Sequence, residues 1–188
     1  MHRLTFGEGQ GAYPLDLVPF DGVERHGEIA WPPEGAFVMN VAGYTDARDS
    51  ALDVEIAPGF TVKIVSLPAM VILKILAWND RPERDKHASD VLLILRHYYQ
   101  TGQFDRLYDD GNIALLEKHG YGLELAGAAL LGRDAGRDVA KETLAQVTNV
   151  FATEKISEKF IGQMMRSQPA NRDRAALLLA AFMTELPG

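Results

Sequence analysis

The sequence predicts an α+β protein, a small β-rich N-terminal part followed by a helical bundle. Three features point that way. Up to residue 65, short β-branched or alternating runs are separated by glycine and proline turn signals. At Ser66 the apolar period changes to that of a helix. From there to residue 186 the chain offers apolar segments at helical spacing, with Gly or Pro between them. The expected division is 1–65 for the strands and 66–188 for the helices.

In order, "RLTF" (3–6) reads as a strand and "GEGQG" as the turn after it. "AYPLDLVPF" (12–20) reads as a second, buried strand, and "DGVERHGE" as a polar connection. The proline-rich "IAWPPEG" should be irregular. "TDARDSAL" (45–52) is a short helix candidate capped by Thr45 or Asp46. "DVEIA" and "FTVKIV" form a hairpin across Pro58 and Gly59. "SLPAMVILKILAWNDR" (66–81) starts a helix with Ser66 as N-cap and Pro68 in the first turn. A second helix begins near Glu83 and stops at Thr101 and Gly102. Residues 122–132, 136–153, 157–167 and 171–186 are four more helical segments.

Bulk properties narrow the function classes. The chain of 188 residues is 47% hydrophobic and 24% charged, which is ordinary for a soluble domain with a real core. No apolar run reaches the ~20 residues needed to span a bilayer. The start, "MHRLTFGEGQ", lacks the apolar stretch of a signal peptide. With no cysteine, disulfides, thiolate zinc sites and cysteine nucleophiles are excluded. A cytoplasmic location is expected, with no membrane partner. A net charge of −7 argues against a broad duplex-binding surface. Basic residues do cluster in "RPERDKH" (81–87), as a docking point for phosphate or as a solvated helix start laced with ion pairs.

A few residues stand out chemically. Asp16 sits between Leu15 and Leu17, where a desolvated carboxylate is costly unless it is paired, hydrogen-bonded or metal-bound. Lys74 is ringed by apolar residues in "MVILKILAW". It either snorkels to water or aims its ammonium into a cleft. Asp90 opens the apolar stretch of "HASDVLLIL", as a helix-start acid, as an i, i+4 partner of Lys86, or as a site residue. His87 and His97 lie ten apart without a zinc-type spacing, and there is no G-x-S-x-G, P-loop or GxGxxG.

Taken as an ordered set, "RLTFGEGQGAYPLDLVPFDGVE", "IAWPP", "MNVAGY", "VKIVSLPAMVILKILAWNDRPERDKHASDVLLILRHY" and "LLGRD" resemble one family. It is the bacterial nucleotidyltransferases of the DNA polymerase β superfamily, in particular the AbiEii-like group with toxin-type members. The likeness covers residues 3–98, with a weaker echo at 131–134. It implies a partial nucleotidyltransferase-type mixed β-sheet at 1–65. It also implies Mg²⁺-dependent transfer of a nucleotidyl group from an NTP to an RNA, protein or small-molecule acceptor, in a toxin–antitoxin setting. In the family, carboxylates on adjacent strands hold two dications that clamp an in-line displacement. By resemblance Asp16 is the third carboxylate, both catalytic and metal-binding. Lys74 is a triphosphate contact, Asp90 the acid that orients it or a ligand, and Arg84 with Asp85 a supporting "RD" pair.

The sequence departs from the pattern at its amino end. Family members carry a GG or GS helix start and a D-x-D strand ahead of "RL.F". Neither is found in residues 1–188; Glu8, in a turn, and Asp21, after Phe20, stand in the wrong places to replace the pair. Three explanations remain open: a fragment lacking an N-terminal segment, a site completed by another chain, or a degenerate member. The first is preferred. The rival function is a non-catalytic module with the same fold, binding a nucleotide, RNA or protein partner. A sheet with so little helical cover is also expected to expose an apolar face unless a homodimer partner or the C-terminal helices hide it.

Overall fold

The computed structural model describes residues 2–31, 37–166 and 171–187. It is a mixed α+β chain. Among the described residues it has six strands and eight α-helices. The strands pair only with their sequence neighbours, as three antiparallel two-stranded ribbons, so they do not by themselves form the mixed sheet expected from the resemblance.

The first ribbon pairs β1 (His2–Phe6) with β2 (Tyr13–Leu17). Arg3 stands opposite Asp16, Leu4 opposite Leu15, and Phe6 opposite Tyr13. Because side chains alternate across a strand, one face is Leu4, Phe6, Tyr13, Leu15 and Leu17, and Arg3, Thr5 and Asp16 take the other. Among the described residues nothing covers the apolar face: Phe6 is 78% and Tyr13 70% exposed. The expectation of a buried second strand therefore fails. Its apolar content was read correctly, but a two-stranded ribbon with no layer above it buries neither face.

The second ribbon, β3 (Glu28–Trp31) with β4 (Phe37–Asn40), was not anticipated. Its strands are four residues each and run into the proline pair, which lies outside the described residues. Ile29 is its one buried strand residue among those described. The third ribbon, β5 (Leu52–Ala57) with β6 (Phe60–Ile64), turns at Pro58 and Gly59 as expected. Asp53, Glu55, Thr61 and Lys63 share its polar face. Leu52, Ile64 and Phe60 remain exposed on the other. The anticipated open apolar surface is thus present on two ribbons of the single chain.

Between the ribbons lies α1 (Tyr44–Asp49). Its N-cap is Gly43, at φ 80°, and not Thr45 or Asp46. Asp46 is otherwise engaged, accepting a 2.6 Å hydrogen bond from the Thr143 hydroxyl. A Cβ at position 43 would press on Thr143 and Leu73 at 3.2 and 3.3 Å, so a positive φ and close packing both favour glycine there.

The helical part begins as predicted. α2 (Leu67–Asp80) has Ser66 as N-cap, accepting from the Ala69 amide, with proline in the first turn. α3 (Lys86–His97) starts three residues later than Glu83, after Asp85. α4 (Ile113–Lys118) was not foreseen. α5 (Leu123–Asp138) runs through Gly132 and Gly136, which the sequence suggested as breaks. α6 (Lys141–Val150), α7 (Glu154–Met164) and α8 (Arg172–Glu185) complete the set, with Asn171 capping α8 through the Asp173 amide. The core is a single cluster centred on α2, α3, α5 and α8, including Ile72, Ile75, Leu92, Leu130 and Phe182. No helix among the described residues is long and apolar enough to cross a membrane.

Glycine persists inside α5 because α8 comes close. A Cβ on Gly132 would lie 2.2 Å from the Phe182 carbonyl oxygen. Backbone cannot yield as a side-chain tip can. Gly132→Ala should destabilise the fold by about 1–3 kcal/mol despite alanine's better helix propensity. Chemical denaturation checks this, and a variant as stable as the parent would show that α8 shifts freely.

Candidate functional site

One cleft, of about 590 Å³, lies where the β3–β4 ribbon and the start of α1 meet α2 and α3. Its polar lining includes Glu28, Asn40, Tyr44, Lys74, Asp80 and His87, over an apolar floor from α2. Five elements contribute to it, and the packing of α2 against α3 fixes the spacing of Lys74 from His87.

Lys74 emerges from the apolar helix to meet Asp90 across the α2–α3 contact, Nζ to Oδ2 at 2.5 Å. Both side chains are about a quarter to a third exposed. The two sequence readings of Lys74 are thereby combined: its tip reaches a wet cleft, and there it is held by an acid. Also in the lining, the Asn40 side chain accepts from the Ala42 amide at 2.8 Å and donates to Asp80 at 3.2 Å. That fastens the end of β4 to the end of α2. Burial, and behind it the charge of Glu28, pushes Asp80 above the ordinary carboxylate range, against the opposing effects of Asn40 and Arg81. Burial and then the charge of Asp80 likewise raise Tyr44.

Asp16 is not part of this lining. Both its oxygens accept from Arg3, at 2.7 and 2.8 Å, on the exposed polar face of the first ribbon. The Arg3 hydrogen bond, aided by its charge, holds Asp16 below the usual carboxylate range. The strand nevertheless leads towards the cleft. Phe20, four residues on, packs edge-to-face on Tyr44 with ring centroids 5.7 Å apart, and Arg48 stacks over Phe20 while pairing with Asp21. Four extended residues span at most about 14 Å, which bounds the distance from Asp16 to that corner. Arg84 is exposed, 4.0 Å from Glu83, and outside the lining. Asp85 is 3.4 Å from Arg166 and helps tie the end of α7 to the α2–α3 connection.

The structure therefore brings Lys74 and Asp90 together and leaves Asp16 and Arg84 apart from them. No protein-family model, curated protein or solved structure matches the chain. Site geometry must carry the functional argument. A single carboxylate with both oxygens engaged by a guanidinium does not fit a dication site on its own. Among the described residues no group of three His, Asp or Glu side chains is placed to hold a metal. Sequence reasoning missed Glu28, Asn40, Tyr44 and Asp80 as cleft residues, while His87 closes the basic stretch 81–87 that it offered as a docking point for phosphate. Of these, Asn40 and Tyr44 lie in "MNVAGY" and Asp80 in the 62–98 stretch, both singled out for their resemblance but not as site residues.

The acid of the "LLGRD" echo, Asp134, has a different role. It is buried in α5, where it accepts from Tyr98 at 2.6 Å and from Arg106 at 2.7 and 2.9 Å, and forms an ion pair with Arg137 at 3.1 Å. Every partner is structural, and none lines the cleft.

Proposed function

We propose that the chain is a nucleotidyltransferase-like protein whose cleft receives the phosphates of an NTP, with transfer of the nucleotidyl group to an RNA, protein or small-molecule acceptor. The observation that carries this reading is the half-buried Lys74–Asp90 pair at a cleft large enough for a nucleotide. An ammonium steadied by a carboxylate is a point charge for phosphate that stays oriented without a ligand. The cleft also offers an apolar floor for a base and acceptors for its amino or hydroxyl donors. The family resemblance of residues 3–98 supplies the reaction class, and by analogy the toxin–antitoxin setting.

On this reading Mg²⁺ would reach Asp16 only with Arg3 displaced and with further carboxylates supplied by another segment or chain. A second reading, a non-catalytic module that binds a nucleotide, RNA or protein partner, is favoured by the Arg3–Asp16 bidentate pair, which neutralises the one recognisable carboxylate.

The two readings separate in one assay. The chain is incubated with Mg²⁺, labelled NTPs and bulk tRNA, beside an Asp16→Ala variant, and NTP binding is measured in parallel. The enzyme reading expects label transfer that falls about a hundredfold or more in the variant while NTP binding persists, because a lost metal ligand costs several kcal/mol of transition-state stabilisation. Transfer unchanged by the substitution would remove Asp16 from the chemistry. Binding without transfer in the parent chain would establish the module, and absence of both would overturn the nucleotide cleft itself.

A further inference from the structure

His87 lines the same cleft wall as Lys74, from the first turn of α3. Its ring is partly exposed, yet Nδ1 is sealed from solvent and has no hydrogen-bond partner among the described residues. Neutral imidazole places its single proton on one nitrogen and a lone pair on the other. A buried N–H with nothing to receive it costs more than a buried lone pair with nothing to donate to it, because the unsatisfied donor loses a full hydrogen bond to water. The proton therefore belongs on the other ring nitrogen, Nε2.

A second proton would have to enter at Nδ1, where it finds no acceptor. The charges around the ring oppose it as well. Burial lowers the basicity of His87 most, and Lys74 from α2 lowers it further. Lys86 on the same helix and Arg84 in the α2–α3 connection add to this, and Asp90 alone among the resolved influences acts the other way. The remaining charged groups of the cleft are Glu28 from β3, and Asp80 and Arg81 at the end of α2.

We propose that His87 is a ligand-binding residue that acts as a neutral Nε2–H donor to an anionic oxygen of the cleft's ligand, beside the ammonium of Lys74. The inference rests on the reading that a phosphate-bearing ligand occupies this cleft. It predicts that the donor works without taking up a proton. Two unlike donors then stand side by side: a full charge shared with Asp90, and an uncharged N–H. Such a pair can grip one phosphate oxygen with charge and a neighbouring oxygen with geometry.

The test uses the full chain with two defined probes, inorganic pyrophosphate and ATP, both without added metal. Ring-nitrogen NMR of ¹⁵N-histidine-labelled protein should show His87 as the Nε2–H tautomer at pH 7, still singly protonated when pyrophosphate is bound at pH 6. Titrations should give a dissociation constant weakened about tenfold in His87→Ala. His87→Gln, which keeps an N–H donor without a basic nitrogen, should stay within about threefold of the parent. An imidazolium in the bound state, an Nδ1–H tautomer, or a His87→Ala chain that binds as tightly as the parent would each overturn the proposal and leave the nucleotide cleft standing. Failure of the parent chain to bind either probe would instead remove the cleft reading, and this inference with it.

Discussion

Asp134→Ala should destabilise the helical part by about 3 kcal/mol and lower its melting temperature by roughly 6–12 °C. The side chain is 2% exposed and gathers Tyr98, Arg106 and Arg137. Truncation strands the Tyr98 hydroxyl in the core and leaves Arg106 without its bidentate partner. Arg106 is 35% exposed, so water takes over part of its solvation. That places the expected loss at the low end of the range for a broken buried pair. Asp134→Asn, which can still accept from Tyr98, should recover a part of it.

The same carboxylate sets an acid limit. Burial alone would raise Asp134, but the hydrogen bonds from Arg106 and Tyr98, with the charges of Arg106 and Arg137, outweigh it and hold the group below the ordinary aspartate range. A depressed folded-state value means that the unfolded chain takes up the proton first. The stabilisation is complete above about pH 4, the unfolded value, and is lost as pH falls through the lower, folded one. The stability gap between the parent and Asp134→Asn should therefore close as pH falls from 5 towards 2. A constant gap would mean that the carboxylate's charge contributes nothing.

Lys74→Met should weaken pyrophosphate and NTP binding by about 10- to 150-fold, the range expected for losing a charge-assisted contact worth about 1.5–3 kcal/mol. Methionine keeps the apolar stem that packs on α2's neighbours, so the change falls on the ammonium. It also leaves Asp90 half-buried and unpaired. Lys74→Met with Asp90→Asn should restore stability but not affinity, and the double-mutant cycle isolates the pair's coupling. Unchanged binding in Lys74→Met would place the phosphates elsewhere and end the case for this cleft.

Much of the backbone was legible because its signals are local. Ser66 and Pro68 announce α2, and Pro58 with Gly59 turns the third ribbon, within a few residues of sequence. Gly132 and Gly136 misled for a physical reason: glycine can mark either a break or a close approach, and only the position of α8 decides between them. Asp16 misled differently. The alternation of Leu15, Asp16 and Leu17 did encode an amphipathic strand, but no local pattern states whether a second layer covers it. The site was the least legible part. Lys74 and Asp90, sixteen residues apart, stood out one at a time by their apolar surroundings and were joined only by a family resemblance, and Asn40, Tyr44 and Asp80 reach the cleft through tertiary packing that leaves no trace in spacing.

The chain's two tryptophans report on different regions. Trp78 is sealed in the helical core, edge-on to Phe160 at 4.8 Å and donating to Gln163, whereas Trp31 belongs to the second ribbon, beside the cleft. Their fluorescence should differ in colour and in access to quenchers. A Trp31→Phe variant would isolate the core's emission, so that loosening of the ribbon and melting of the bundle can be timed separately in one cuvette.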